Sequence, residues 1–162
     1  MLLLRIKDVP AISEVGRSAP HGIDEARRRI EMTWQEGRRL SKVVSSFIYE
    51  IEERDAERIR WYLEDYGVFP ADPAPRLAAE AEACIENIGS DLFRLVFSDS
   101  DAAKIWALAQ RDLGQVRVEV DADQAGSSGL PWELLRDPNT GINTALEAAA
   151  FVRTHIPAGS QG

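Results

Sequence analysis

Between Arg28 and Ile51 apolar side chains fall on every second position. Ile30, Met32 and Trp34 alternate with Arg29, Glu31, Thr33 and Gln35, the period of a strand with one face turned to a core. Val43, Phe47, Tyr49 and Ile51 repeat the pattern, with Ser45 as its weak member. A helix over the same stretch would place Ile30, Trp34 and Val44 on one stripe, but that stripe breaks at Gly37-Arg38-Arg39. The pattern therefore predicts a β-hairpin of about 28–35 and 43–52, with a turn longer than the tight two-residue type. Leu2, Leu4 and Ile6 predict a strand before it, and Val116, Val118 and Val120 predict one at about 115–121. A last strand is expected over about 145–154.

From Asp55 the period changes. Ile59, Leu63 and Tyr66 fall at i, i+4 and i+7 with Tyr62 beside them, which predicts an amphipathic helix of about 55–66, ended by Gly67 and Pro70. Pro70, Pro73 and Pro75 suggest a stiff connector over 70–76. Leu77, Ala81, Cys84, Ile85, Ile88, Leu92, Leu95 and Val96 keep one helical stripe, and Gly89 interrupts it without shifting its phase. One helix of about 75–97 follows, with a bend at Gly89 allowed. Asp99 or Ser100 can cap a further helix of about 101–112, with Ile105, Leu108 and Leu113 on its buried side. Pro131 suits a first helical position, so a short helix should carry Trp132 and Leu135 to one side. Trp132 is then expected to be buried between the 75–97 helix and the strands at 115–121 and 145–154. Residues 10–26 and 126–129 read as loops, 137–141 as turn chemistry, and 157–162 as a flexible tail. Strands, then helices, then strands again indicate an α+β fold, with 1–156 as a single domain.

Composition narrows the function. The 162 residues carry 19 basic and 27 acidic side chains, a net charge of −8. That disfavours nucleic acid, whose binding rests on neutralising phosphates. The basic run Arg27-Arg28-Arg29 reads as a solvated face. No apolar run approaches the ~20 residues that span a bilayer, and Met1–Leu4 is too short for a signal peptide. A cytoplasmic protein with no membrane partner is expected.

Candidate chemistry is sparse. Cys84 is the one cysteine, and its place on the apolar stripe marks it as a packed small side chain. The two histidines, His21 and His155, have no thiolate or carboxylate at ligand spacing, and Gly126-Ser127-Ser128-Gly129 lacks the lysine of a phosphate loop. No catalytic residue, cofactor or metal is expected. Acidic pairs such as Glu64-Asp65 read as solvated. Trp132 reads as an anchor, Glu133 as an acceptor for backbone amides or an arginine, and Trp61 with Phe69 as an exposed contact for another lobe.

Two segments resemble the opening half of the CHAT family, caspase-like domains often found with TPR repeats. One is Arg60-Trp61-Tyr62-Leu63-Glu64-Asp65-Tyr66 with Phe69-Pro70; the other is Leu130-Pro131-Trp132-Glu133-Leu134-Leu135-Arg136-Asp137-Pro138. Gly89 to Phe97 is similar to the family's Gly, Leu-Phe, Phe pattern, and Ala145-Leu146 with Phe151-Val152-Arg153 is similar to the strand leading into its core. The resemblance covers about 50–156, and the first 50 residues fit loosely. It implies a caspase-type α/β fold and proteolysis of partner proteins in bacterial regulatory or defence systems. The family's catalytic His and Cys lie beyond the stretch similar to Leu130–Pro138, so no catalytic residue carries over. The resemblance implies a non-catalytic front portion whose partner is a catalytic lobe, with Trp61, Tyr62, Glu64, Phe69, Trp132, Glu133 and Arg153 as structural or contact residues. The alternative is a free-standing protein-interaction module.

Overall fold

The computed structural model describes residues 1–10, 27–49, 52–64, 74–122 and 130–154. Among these residues five strands form one mixed sheet: β1 (Leu2–Pro10), β2 (Arg27–Glu36), β3 (Arg39–Ile48), β4 (Val116–Ala122) and β5 (Ala150–Thr154). Their order is β3-β2-β1-β4-β5. β1 pairs with β2, and β2 with β3, antiparallel; β1 with β4, and β4 with β5, parallel. Between the hairpin and β4 the described residues form α1 (Glu53–Glu64), α2 (Ala74–Val96) and α3 (Ser100–Arg111). A short α4 (Thr144–Glu147) precedes β5. The fold is α+β.

Alternation decides the faces. Leu4, Ile6, Ile30, Met32, Trp34, Val116, Val118 and Val120 are at most 3% exposed and form one layer of the core. Leu92, Phe93 and Val96 of α2 and Phe97 just after it, with Ala102, Ile105, Trp106 and Ala109 of α3, form the other. The rings of Phe93, Phe97 and Trp106 lock the two helices together, with centroids 4.7 to 5.3 Å apart. The opposite sheet face carries charge: Glu119 accepts from Arg5 at 2.9 Å and from Arg117 at 2.8 Å, and Glu31 pairs with Arg29 and Lys42. Asp99 caps α3, its carboxylate accepting from the Asp101 and Ala102 amides.

Several expectations change. The hairpin turn is tight: Glu36 pairs with Arg39 across Gly37-Arg38. Gly37 has φ +58° and no other residue type among the described residues has positive φ, as a II′-like turn requires. The second hairpin strand therefore starts at Arg39 and not near 43. Its turn-proximal half is exposed, so alternation was visible only further along. The expected strand at 145–154 opens instead as α4, because Asn143 caps Thr144–Glu147 through the Leu146 amide. Pro131 begins only a single 3-10 turn, Trp132–Leu134. The long helix begins at Ala74, one residue before the expected start, with Pro75 in its first turn, where it needs no amide partner. Pro10 belongs to β1. The rest of the expected loop at 10–26, the turn at 126–129, the tail at 157–162, Phe69 and both histidines lie outside the described residues.

Candidate functional site

The core-facing rows of β1 and β2 each end in a charged residue. Along β1, Leu4 and Ile6 lead to Asp8; along β2, Trp34, Met32 and Ile30 lead to Arg28. Asp8 is 6% exposed and Arg28 8%. Both sit where β1 ends and β2 begins, which is also the carboxyl end of β4 and β5. Arg153 joins them from β5, opposite Val120. The Arg27-Arg28-Arg29 run is thus not one solvated face: period two exposes Arg27 and Arg29 and buries Arg28.

The Leu-Pro-Trp segment closes over this row. Trp132 is fully buried, and its indole Nε1 donates to Asp8 Oδ2 at 3.3 Å. Asp8 Oδ1 is also buried and accepts no hydrogen bond among the described residues. Burial raises the Asp8 carboxyl above its ordinary value, against the opposing pull of Arg28, the Trp132 indole and Arg153. Arg153 donates through Nη1 to Glu133 Oε1 at 3.0 Å and through Nη2 to the Leu130 carbonyl at 3.3 Å. The Glu133–Arg153 pair lies at the rim, with the two side chains 48% and 28% exposed, so it orients more than it stabilises.

The same segment is fastened on its other side. The Arg136 amide donates to the Gly89 carbonyl at 3.2 Å, at the middle of α2. A methyl group on Gly89 would lie 1.8 Å from the Leu134 carbonyl oxygen, so only glycine admits this approach. Asp137, 3% exposed, accepts from Trp106 Nε1 at 3.0 Å and from the Asn139 amide at 2.8 Å. The Thr144 amide donates to the Leu135 carbonyl at 3.0 Å. Leu130–Asp137 is therefore a clamp tying β1, α2, α3, α4 and β5 together. A Cβ is missing where the clamp meets α2, and a carboxylate is present where it meets β1 and α3.

Of the residues singled out by sequence, Trp132, Glu133 and Arg153 converge here. Trp61 and Tyr62 do not: they are half-buried on α1, and Tyr62 Oη donates to Glu82 of α2 at 2.8 Å. Glu64 ends α1, and its side chain lies outside the described residues. Cys84 is buried facing Asp55 and Arg58 of α1, in a shallow hollow of about 360 Å³. Burial and the nearby Asp55 carboxylate push its thiol up, which favours the unreactive protonated form. Sequence reading missed Asp8, Arg28, Gly89, Trp106 and Asp137. The signal for Asp8 and Arg28 was present: each continues an apolar row with a charge.

Comparison with protein-family models, with curated proteins and with solved structures finds no match. Function is therefore read from the residues themselves. Among the described residues no group of three or more His, Cys, Asp or Glu side chains is placed to hold a metal ion. No helix among them is long and apolar enough to cross a membrane. The cluster offers one buried carboxylate and two guanidinium groups at the carboxyl ends of parallel strands. Such a row anchors a chain crossing the sheet end: Arg153 is turned on the clamp, and Arg28 and Arg153 oppose the effect of burial on Asp8.

Proposed function

We propose that this chain is a non-catalytic, cytoplasmic subdomain of a CHAT-type caspase-like peptidase, supporting a catalytic part that other residues supply. The observation that carries the proposal is the state of β5. It runs parallel to β4 at the sheet edge, and among the described residues no strand pairs with its far side. An unpaired parallel edge presents free N–H and C=O groups that can take further strands added in the same direction. The clamp supports the same reading, because it fixes β5 through Arg153 and covers the sheet end where such folds place their chemistry. The residues that suggested the family, Leu130 to Pro138, are those that form the clamp. In this role Trp132, Glu133 and Arg153 position β5 and touch no substrate.

The test is the native polypeptide and its activity. The purified 162-residue chain should cleave no peptide library. The protein isolated from its own cells, by intact mass, should be longer than 162 residues or be bound to a second chain. That form should cleave peptides and lose the activity on thiol alkylation. A native 162-residue species that purifies alone would sink the proposal and favour the free-standing interaction module.

A further inference from the structure

β3 forms the edge of the sheet opposite β5, and among the described residues no strand pairs with its outer side. Its ten residues, Arg39–Ile48, include no proline and no carboxylate. Natural edge strands are commonly kept short or blunted by proline, lysine, a bulge or inward charge, because an open edge templates pairing; β3 carries one lysine, Lys42, which pairs with Glu31 of β2. Leu40, Val44 and Ile48 are 66%, 47% and 50% exposed and lie on one face at four-residue spacing. Apart from Met1 and Leu146, they are the exposed large hydrophobic residues among those described.

The hairpin sets which backbone groups point outward. A two-residue turn makes Glu36 and Arg39 a hydrogen-bonded pair, and bonded and non-bonded pairs alternate from there. Arg39, Ser41, Val43, Ser45 and Phe47 thus direct their N–H and C=O groups to β2. Leu40, Lys42, Val44, Ser46 and Ile48 direct theirs to the open edge.

From this we infer that β3 is a homodimer edge: two copies pair β3 with β3, antiparallel, about a two-fold axis through Val44. In that register Val44 faces Val44 of the second copy, and Leu40 faces its Ile48. Lys42 faces its Ser46. Each facing pair has both residues' N–H and C=O groups directed outward, so each can exchange two backbone hydrogen bonds. The aliphatic residues meet on one face, and no like charges are opposed. The two Lys42 residues stand four positions apart along the paired strands, about 13 Å, beyond a Debye length at ordinary salt. A slip of two residues either way sets Leu40 against a polar residue or carries it past the end of the strand, and sets Val44 against Lys42 or Ser46. The chain is thus self-complementary in one register, as an isologous interface requires. One paired edge buries less than the ~1,600 Å² of a standard stable interface, so the dimer should depend on concentration. Both sheet edges can be occupied at once, so this inference does not rest on the peptidase reading.

Sedimentation equilibrium of the full chain tests it. The chain should shift from monomer to dimer between about 1 µM and 1 mM. Val44→Lys places two like charges face to face and should raise the dissociation constant at least ~10-fold, with circular dichroism and melting unchanged. A wild-type chain that stays monomeric, or a dimer indifferent to Val44→Lys, overturns the inference. Register is read by a nitroxide on Ser46→Cys, with Cys84→Ala removing the native thiol. The proposed pairing sets the two labelled Cα atoms about 15 Å apart, whereas slips of two residues give about 8 or 21 Å. Either slipped distance, or no short distance at dimer concentrations, overturns it.

Discussion

The segments starting at Arg60 and Leu130 look equivalent in sequence: each is a short run that sets tryptophan among leucine, charge and a nearby proline. In the fold they are opposites. Trp132 is fully buried, and its indole reaches a carboxylate on β1, 124 positions away. The neighbouring residues of its segment bind the α2 backbone, a Trp of α3 and an Arg of β5. Trp61 and Tyr62 are half-buried on α1, and the Tyr62 hydroxyl donates to Glu82 on the neighbouring α2. An aromatic side chain contributes according to how many independent elements it joins, and sequence prominence does not report that number.

The sharpest way to break this comparison is Trp132→Ala. Loss of a fully buried indole should cost about 3–5 kcal/mol, a large share of a small domain's stability, and should unfold or aggregate the chain. Trp132→Phe keeps most of the area and loses the donor, so chemical denaturation of both variants separates packing from the Asp8 hydrogen bond. A Trp132→Ala chain that melts like the parent would remove the clamp from the account of stability.

Gly89→Ala comes next. Alanine favours a helix interior by about 1 kcal/mol, so on propensity alone the variant should be more stable. The clamp reverses the sign: the added methyl meets the Leu134 carbonyl and forces backbone to move, with a net loss of about 1–3 kcal/mol. A raised melting temperature would mean that the clamp does not hold to α2.

A pH titration sharpens the comparison on the β1 side. Because burial raises the native Asp8 carboxyl above its ordinary value near 3.8, the native state holds that proton more tightly than the unfolded chain. The stability linked to protonated Asp8 is complete below the ordinary value and is lost as pH rises through the elevated native one. Asp8→Asn stays neutral, so its stability relative to the parent should improve from pH 3 to pH 7. A relative decline over that range would show the pull of Arg28 outweighing burial.

The smallest effect belongs to α1. Tyr62→Phe removes one partly exposed hydrogen bond and should cost no more than about 1 kcal/mol by urea melting. A cost as large as that of Trp132→Ala would abolish the contrast between the two segments.

Much of the fold was legible because local periodicity and burial coincide. Ile30, Met32 and Trp34 showed a strand, and the stripe from Leu77 to Val96 showed one long helix. The tight turn escaped because Leu40 and Lys42, just beyond it, face solvent on an open edge, so period two there has no inward hydrophobic residue to announce it. The site was legible at Trp132, Glu133 and Arg153, but not in its partners. Asp8 and Arg28 look like surface charges until the parallel pairing of β1 with β4 and the closing clamp bury them. Gly89 looks like a flaw in a helix until Leu134 is set against it. The period-two rows could place Asp8 and Arg28 on the core face, but what buries them, and what meets Gly89, are contacts remote in sequence.

The central position of β1 has a consequence for synthesis. β2 and β3 can zip locally as a hairpin and take up one side of β1 as soon as they emerge. The other side pairs with β4, whose first residue, Val116, lies 80 positions after Glu36. At about 5–20 residues per second, a ribosome takes roughly 4–16 s to make that interval. Throughout it the middle strand of the future sheet presents Leu4 and Ile6 on an unfilled edge. The nascent chain is therefore at its most aggregation-prone just after the hairpin forms, and translation speed between Glu36 and Val116 should govern the yield of folded protein.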